Sequence, residues 1–378
     1  MALIIRQQPS SRTPAYNEQW VTAESNMVST HADFYYIVET YVNTNLISTD
    51  NIFPRPDGFL KFNAKEKVKN YIKHPFNPLE TGLVEATDKA VFVEMNVREY
   101  YSGAIQSTES LSYTAFDACL NEIDFANYDS VDYTTLPILL GYQQLNKVDS
   151  VVAYGNDVFL HFFGNDMQYI NIDDGTNNTN INMPGGYNPD LIYTLNVGYN
   201  KLLDMGFNYS VGTTVTVTLY TASQPPVTLT YTISDIFTKY EPLTIYYMDR
   251  AGRIQFKQFE LMSQKKATKK TNEVRLAKSY LNSGGQVISN IWDRETFEVS
   301  NLTTYTKMVN SNWITETQSE LLNELFDSPF VWIRENSQYI PVKVTDTSYD
   351  FKKHINERLF NISLNLEYSV TETRQRAL

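Results

Sequence analysis

Residues that could perform chemistry are scattered through the 378-residue chain, and none has the spacing of a catalytic or metal-binding motif. The chain lacks the phosphate-binding pattern G-x-x-x-x-G-K-[ST], the dinucleotide pattern G-x-G-x-x-G and the nucleophile turn G-x-S-x-G. Its four histidines are far apart in sequence, without an H-E-x-x-H or H-x-H pair. We therefore assign no catalytic, cofactor-binding or metal-binding residue, and we expect a protein that is not an enzyme and uses no cofactor.

Two isolated features could still react or bind an ion. Cys119, the only cysteine, lies beside Phe116 and Leu120, and this apolar spacing predicts a small core residue rather than an activated thiol. The acidic turn at 173–175, followed by asparagines, lacks the alternating ligands and closing glutamate of an EF-hand loop. We expect a polar loop there and leave ion binding by residues 173–180 open. No pair among the 43 acidic residues has a spacing that marks it as the acid and base of a glycosidase.

A basic segment is the strongest candidate for binding. Six cations lie between Met262 and Tyr280 against one acidic residue, a local charge of +5 on a chain of net charge −12. Such a segment could contact phosphate, pair with an acidic patch on a neighbouring copy, or simply be solvated. The interleaved aromatic residues of nucleic-acid grooves are absent, so among the functional alternatives we favour subunit contact over DNA. The candidate contact residues are Lys265, Lys266, Lys269, Lys270, Arg275 and Lys278.

The basic segment follows a predicted structural hairpin, within residues 240–266. Two apolar strands flank a turn in which Asp249 takes the first position, Arg250 the second and Gly252 the fourth. These residue types suit a type I turn whose last residue is left-handed. In the return strand, the step of three residues between Phe256 and Phe259 predicts a β-bulge.

Composition indicates a folded, β-rich chain. Hydrophobic residues make up 42% and charged residues 20%, and there are 27 Tyr and 20 Phe, which are typical of strands and of subunit interfaces. The net charge of −12 argues against broad attraction to DNA or to an anionic membrane. A single cysteine allows no disulfide within the chain. No apolar run approaches 18 residues, so we expect no membrane insertion. The apolar run near the start is far too short for a signal peptide, so we expect the chain to be made in a cytoplasm and not exported by the usual route.

The hydrophobic periodicity predicts a mostly β fold: antiparallel β-sandwich-type domains followed by a C-terminal α+β module of strand, helix, hairpin and strand. Alternation is clearest in 34–42, 91–97 and 214–221, and a capping box of Thr315 and Gln318 marks the best helix. We also expect a β-hairpin at 151–163 with its turn at Gly155-Asn156, a long exposed loop at 173–190 and a short helix within 113–123. The predicted divisions are an extended N-terminal arm (1–32), an N-terminal β domain (33–111), a central β-rich domain (112–300) and the C-terminal module (301–378).

Several segments, taken in order, resemble virion structural proteins of crAss-like tailed phages that infect Bacteroidales. These segments are QQPSSRTPAYNEQW, FYYIVETYVN with PRPDGFLKFNAKEKVKNYI, VREYYSG, the hairpin turn, and the C-terminal stretch from VNSNWITETQSELLNELFDSPFVWI. In the hairpin turn, Arg250 and Gly252 match the N-R-L-G-G pattern of that family, whereas Asp249, Ala251 and Arg253 depart from it. We therefore transfer no contact role to the departing residues. The likeness touches most of the chain, and its specificity comes from the order of individually weak motifs.

The resemblance implies an assembly role. Such proteins form multi-copy rings, twelve-fold in symmetry, around the DNA channel of the phage tail barrel or the head–tail (neck) connector. The implied partners are other copies of the chain, neighbouring portal, ring or tail proteins, and phage DNA that passes without sequence-specific binding. The implied location is the virion, after synthesis in the bacterial cytoplasm. The alternative that we keep open is a tail-associated adhesin or glycan-binding module.

Overall fold

The computed structural model describes residues 3–74, 76, 82–126, 151–153, 156–207, 210–222, 225–234, 239–275, 279–289, 296–346 and 359–375. Strands account for 54% of the residues and helices for 8%, so the predicted mostly β class is confirmed. The chain divides into two compact units. The first comprises Met1–Ile236 with Met248–Phe256, and the second comprises Phe237–Tyr247 with Lys257–Leu378.

The first unit begins with two sheets that enclose one core, an arrangement of the β-sandwich class. Alternating residues of both sheets are buried together, among them Val21, Leu60, Val38, Met95 and Tyr113. All strand pairs in these sheets are antiparallel except β2 with β9. The sheet orders are β1 (Ile4–Gln7), β3 (Trp20–Glu24), β6 (Phe59–Asn63), and β2 (Arg12–Pro14), β9 (Ala104–Phe116), β8 (Ala90–Tyr101), β4 (Tyr35–Val42), β5 (Asn45–Ile52).

The predicted extended arm at 1–32 is wrong, because its residues pair within this sandwich. Strand β3 pairs with both β1 and β6, and β2 pairs with β9. Leu3, Val21 and Ala23 are buried in the shared core. Short strands of three to five residues show too little alternation to be recognised from sequence, but the sheet supplies their hydrogen bonds.

Two further sheets complete the first unit. Val215, Val217 and Leu219 are fully buried on one face of the larger sheet, as their alternation with threonines predicted. The predicted hairpin at 151–163 is wrong, because β10 joins one sheet and β11 the other; Gly155 of its expected turn lies outside the described residues. The orders are β10 (Val151–Ala153), β16 (Val227–Ser234), β15 (Thr214–Thr221), β12 (Met167–Asp173), β13 (Asn178–Asn182), and β11 (Phe159–Phe163), β14 (Ile192–Asn196), β7 (Leu83–Glu85).

The segment 173–190, predicted as one long loop, contains strand β13 paired to β12. Polar side chains hold this pair: Asn171 Nδ2 donates to Oδ1 of Asn178 at 2.5 Å and to Oδ1 of Asn180 at 2.7 Å. Asparagine bonds thus add to the backbone pairing of a strand whose single apolar residue, Ile181, leaves no hydrophobic period in the sequence.

Helices are short in the first unit: α1 is Lys65–Val68, followed by a 3₁₀ turn at Lys69–Tyr71, α2 is Glu122–Ala126 and α3 is Tyr199–Asp204. The short helix predicted within 113–123 is wrong over most of that range, because residues up to Phe116 belong to β9 and α2 begins only at Glu122. No helix in the described ranges is both long and apolar enough to cross a membrane.

The second unit contains helix α4 (Glu316–Asp327) and most of one large sheet, of which residues 248 and 254–256 belong to the first unit. Leu322 and Leu325 of α4 are buried with Ile333 and Leu364 of the sheet, as the apolar stripe of this helix predicted. Strand, helix, hairpin and final strand follow in the predicted order, and β22 runs across the predicted boundary at residue 300. The side chains of Thr315 and Gln318, the expected capping box, lie outside the described part. The order of the large sheet is β18 (Ile254–Phe259), β17 (Leu243–Met248), β24 (Val331–Glu335), β25 (Gln338–Val344), β27 (Ser363–Tyr368), β22 (Thr296–Asn310), β19 (Gln264–Arg275). Strand β28 (Glu372–Gln375) also pairs with β22. Two separate two-stranded sheets are β20 (Ser279–Leu281) with β21 (Val287–Ser289), and β23 (Ile314–Thr315) with β26 (Leu359–Phe360).

Candidate functional site

The turn between β17 and β18 has the geometry that its residues predicted. The amide of Gly252 donates to the carbonyl of Asp249 at 3.0 Å, and the amide of Asp249 donates to the carbonyl of Arg253 at 2.9 Å. Gly252 has a φ of +75°, the left-handed conformation expected at the fourth turn position. The predicted hairpin, with Asp249, Arg250 and Gly252 in its turn, is therefore confirmed. The bulge expected between Phe256 and Phe259 stays a prediction.

Gly252 also packs against backbone of the same unit that is distant in sequence. A Cβ added at this position would lie 1.8 Å from the carbonyl oxygen of Asp117, and the adjacent Arg250 carbonyl accepts from the amide of Cys119 at 2.7 Å. The ammonium of Lys89, a fully buried side chain, donates to the Gly252 carbonyl at 2.8 Å. Only glycine allows both the positive φ and this close approach.

Asp249 organises the tip through its carboxylate, which is buried. Its Oδ1 accepts from the amides of Ala251 and Arg253, both at 3.0 Å, and its Oδ2 accepts from Arg253 Nε at 2.5 Å and from Gln255 Nε2 at 3.1 Å. Four donors on one buried carboxylate satisfy its charge and fix the turn. Asp249 and Arg253, two of the three residues that depart from the N-R-L-G-G pattern, thus hold this tip together. Arg253 and Gln255 were not predicted as site residues; the Asp–Arg spacing across a glycine turn is the only sequence signal that could have indicated Arg253.

His161 connects strand β11 to the same tip. Its Nε2 accepts from the amide of Ile254 at 3.1 Å, so Nδ1 carries the proton and donates to Thr194 Oγ1 at 3.0 Å. Burial, together with the positive charges of Lys89 and Arg253, holds the pKa of His161 well below its ordinary value. Burial also lowers the pKa of Lys89, against the attraction of Asp117 and Asp249. His161 therefore acts as a neutral structural link.

His74 and Cys119 lie close to residues that contact the tip: His74 bonds Asp117, and the amide of Cys119 bonds the carbonyl of Arg250. His74 Nδ1 contacts Asp117 Oδ2 at 2.8 Å, and His74 Nε2 contacts the hydroxyl of Tyr16 at 3.1 Å. Cys119 is exposed, so the expectation that it is a core residue is wrong: β9 ends at Phe116, and the amide of Cys119 beyond it donates to the carbonyl of Arg250.

A cavity of about 140 Å³ opens beside His161 in the first unit. Phe76 and Phe159 line it with Thr194 and Asn196, and the two phenyl rings meet edge-on. Both nitrogens of His161 and the amide of Asn196, which donates to Asp157 Oδ1 at 3.1 Å, are already hydrogen-bonded. The side chains of His161 and Asn196 at the cavity therefore already use these groups in hydrogen bonds within the protein.

The acidic turn after β12 uses its carboxylates for its own backbone. Asp173 Oδ1 accepts from the amide of Gly175 at 2.7 Å, and Asp174 Oδ1 accepts from the amides of Thr176 and Asn177. Within the described ranges, no group of three or more His, Cys, Asp or Glu side chains could hold a metal ion. The geometry of 173–177 is that of a side-chain-capped turn.

The basic segment forms the long strand β19 of the second unit. Eleven of its twelve residues are exposed and the other is half-buried, and β19 is the last strand in the described order of its sheet. Of the predicted contact residues, Lys265, Lys266, Lys269, Lys270 and Arg275 lie on this strand, whereas Lys278 lies outside the described residues. Strand β22 is its partner, from Gln264 opposite Met308 to Arg275 opposite Thr296. The structure therefore brings five of the six predicted cations together on one exposed strand.

Comparison with known proteins does not identify a family. No family model and no curated protein matches the chain. Among solved structures, the complex of Dpr2 Ig1-Ig2 with DIP-Theta Ig1-Ig3 is 8% identical, over 97% of this chain and 90% of that one, with a TM-score of 0.20. Extracellular domains 3-5 of Drosophila OTK are 9% identical, over 82% and 92%, with a TM-score of 0.18. SGBP-B of the Bacteroides ovatus mixed-linkage glucan utilization locus, in complex with a mixed-linkage heptasaccharide, is 10% identical, over 82% and 65%, with a TM-score of 0.15. Likenesses this weak carry no argument about function.

Proposed function

We propose that this chain is a virion structural protein that forms a multi-copy ring around the DNA channel of a phage tail barrel or neck. The observation that carries the proposal is strand β19, a twelve-residue basic strand on an acidic chain, exposed along its length at the end of a sheet. Unpaired backbone groups at a sheet edge attract other strands, and lysines on the edge disfavour such pairing. A long, exposed and basic edge strand therefore fits contact through its side chains with an acidic surface of a neighbour.

Ring assembly needs two different surfaces on each copy that fit one another head to tail. The segment Met262–Tyr280 carries +5, which leaves −17 on the rest of the chain. This division of charge gives each copy a basic element and an acidic remainder, and copies that carry both attract one another without a second protein.

An acidic chain also suits a wall that DNA must pass. Positive patches bind phosphates regardless of sequence, whereas net negative charge keeps DNA from sticking. In the proposed assembly the net acidic charge of the ring keeps DNA from sticking, and portal, ring or tail proteins contact the ring above and below. The proposal assigns no chemical reaction to the protein.

The test is to count copies of this chain in purified phage particles by quantitative mass spectrometry and to place it in a density map of the particle. The ring proposal predicts about twelve copies per particle, at the tail barrel or the neck. An adhesin would instead appear as trimers at the periphery and bind glycans when purified. Absence from particles, or a trimeric peripheral position with glycan binding, contradicts the ring.

A further inference from the structure

We propose that one face of β19, carrying Lys266 and Lys270, contacts an acidic surface on a second copy of this chain. The inference deepens the proposed function, because it names the element and the side chains through which copies would associate. It rests on how the four lysines of β19 divide between the two faces of the strand.

Lysines on the inward-leaning face of β19 are already engaged within the second unit. The ammonium of Lys265 lies 4.9 Å from the ring centre of Tyr305 and 4.5 Å from that of Tyr368. Lys269 contacts both carboxylate oxygens of Glu298 at 2.9 Å. Lys265 pairs across the strands with Lys307, which itself bonds Glu335 at 2.5 Å. The lysines of this face therefore already have partners within the chain.

The opposite face of β19 carries cations without such partners. Side chains alternate along a strand, so Lys266 and Lys270 share one face with their cross-strand neighbours Thr306 and Leu302. Lys266 and Lys270 are exposed and have no ion-pair, hydrogen-bond or ring partner among the described residues. They lie four residues apart, about 13 Å along the strand. Glu367 is the acidic residue across from Thr306, but it is paired in register with Lys343 of β25.

Exposed apolar residues on strand β22 and just after the basic segment in sequence favour a protein partner. Leu281 and Val287 lie directly opposite one another on β20 and β21, the pair that follows β19 in the chain, and each is 69% exposed. Leu302, beside Lys270, is 39% exposed. Cations combined with exposed aliphatic residues fit the polar rim and apolar centre of a protein interface.

Charge decides between a second copy and DNA. Two unpaired lysines would neutralise about two phosphates, which gives a weak and strongly salt-dependent attraction to a duplex. The surrounding chain, at −17, repels that duplex but supplies acidic surface to the lysines of another copy. The occupant that matches this face is therefore a second copy of the chain.

The test compares two double variants of the full chain. The first, Lys266→Gln with Lys270→Gln, alters the face whose lysines have no partner in the described ranges, here called the free face. The second, Lys265→Gln with Lys269→Gln, removes the same charge from the opposite face, here called the engaged face. Association is measured by sedimentation equilibrium at about 50 mM and about 500 mM salt. We expect the free-face variant to raise the dissociation constant between copies about 5- to 30-fold at low salt. The engaged-face variant should change it less than about 3-fold while lowering the melting temperature.

Carbodiimide cross-linking of a mixture of ¹⁴N- and ¹⁵N-labelled copies provides a second readout. Bonds from Lys266 or Lys270 to carboxylates of the differently labelled copy support the proposal. If the two variants associate equally well, or if the free-face variant loses only duplex DNA binding measured by fluorescence anisotropy, the proposal is overturned. Rings that form undiminished in the free-face variant refute this inference alone. A wild-type chain that stays monomeric at every concentration refutes the proposed ring as well.

Discussion

Gly252 is the residue at which local turn chemistry and long-range packing coincide. Its positive φ comes from the turn, whereas the approach of the Asp117 carbonyl and the hydrogen bond from Lys89 come from residues far away in the chain. Turn chemistry alone identifies Gly252 and Asp249 in the sequence. Lys89 and His161 could not be found in that way, because they are 163 and 93 positions from their tip partners and no spacing rule connects them.

Replacing Gly252 should therefore be much more costly than replacing another glycine in a turn. Gly252→Ala should lower the free energy of unfolding by more than about 3 kcal/mol, because strain at positive φ adds to the clash with the Asp117 carbonyl. Gly58→Ala is the matched control: Gly58 has φ +84° but nothing within 4 Å of an added Cβ, so we expect about 1 kcal/mol. Urea unfolding measures both; equal losses would show that the packing of the tip contributes nothing.

His161 should make stability depend on pH. Its folded pKa lies well below 6.5 while the unfolded chain titrates near 6.5, so below that pH the unfolded state binds the extra proton. The contribution is complete above pH 6.5 and is lost as the pH falls, by at most about 1.4 kcal/mol per pH unit. Urea unfolding is measured at about pH 7.5, 6.5 and 5.5. The free energy of unfolding should fall more steeply with decreasing pH for the wild type than for His161→Gln. Parallel curves for the two proteins would contradict this role.

At the scale of elements, strict alternation of apolar and polar residues predicted strands correctly, whereas its absence did not exclude a strand. Strands β4, β8 and β15 alternate over eight or more residues, and their predicted inward residues are buried. Strands β1 to β3 have three to five residues each, too few to show a period. Strand β13 (NTNIN) contains a single apolar residue, Ile181, and its asparagines bond Asn171, so hydrophobic patterning could not indicate it.

Pairing of the N-terminal segment into the sandwich predicts a sharp contrast between adjacent residues of β3. Val21 is fully buried and Thr22 is half-buried on the other side of the strand. Val21→Asp should lower the free energy of unfolding by more than about 4 kcal/mol, because it places an unpaired charge in the core, whereas Thr22→Asp should cost less than about 1 kcal/mol. Denaturant unfolding of the two variants distinguishes a sheet strand from a detached arm, for which both changes would be harmless.

At the scale of the whole molecule, charge distribution is the property that sequence and structure describe together. The sequence locates the basic segment but treats its cations as equivalent. The structure separates them, because neighbouring strands place Tyr305, Tyr368 and Glu298 on one face only. These residues lie on strands that are distant from β19 in sequence, and the sequence of the basic segment does not indicate which strands pair with it. Its two faces therefore could not be distinguished from sequence.

The central claim is that copies of this chain close into a ring, and native mass spectrometry of the purified full chain tests it most directly. With rising concentration at low salt, we predict a discrete closed species of twelve 43.5-kDa copies, about 520 kDa, that dissociates as salt is raised. A chain that remains at 43.5 kDa at all concentrations, or that stops at a trimer, would contradict the account.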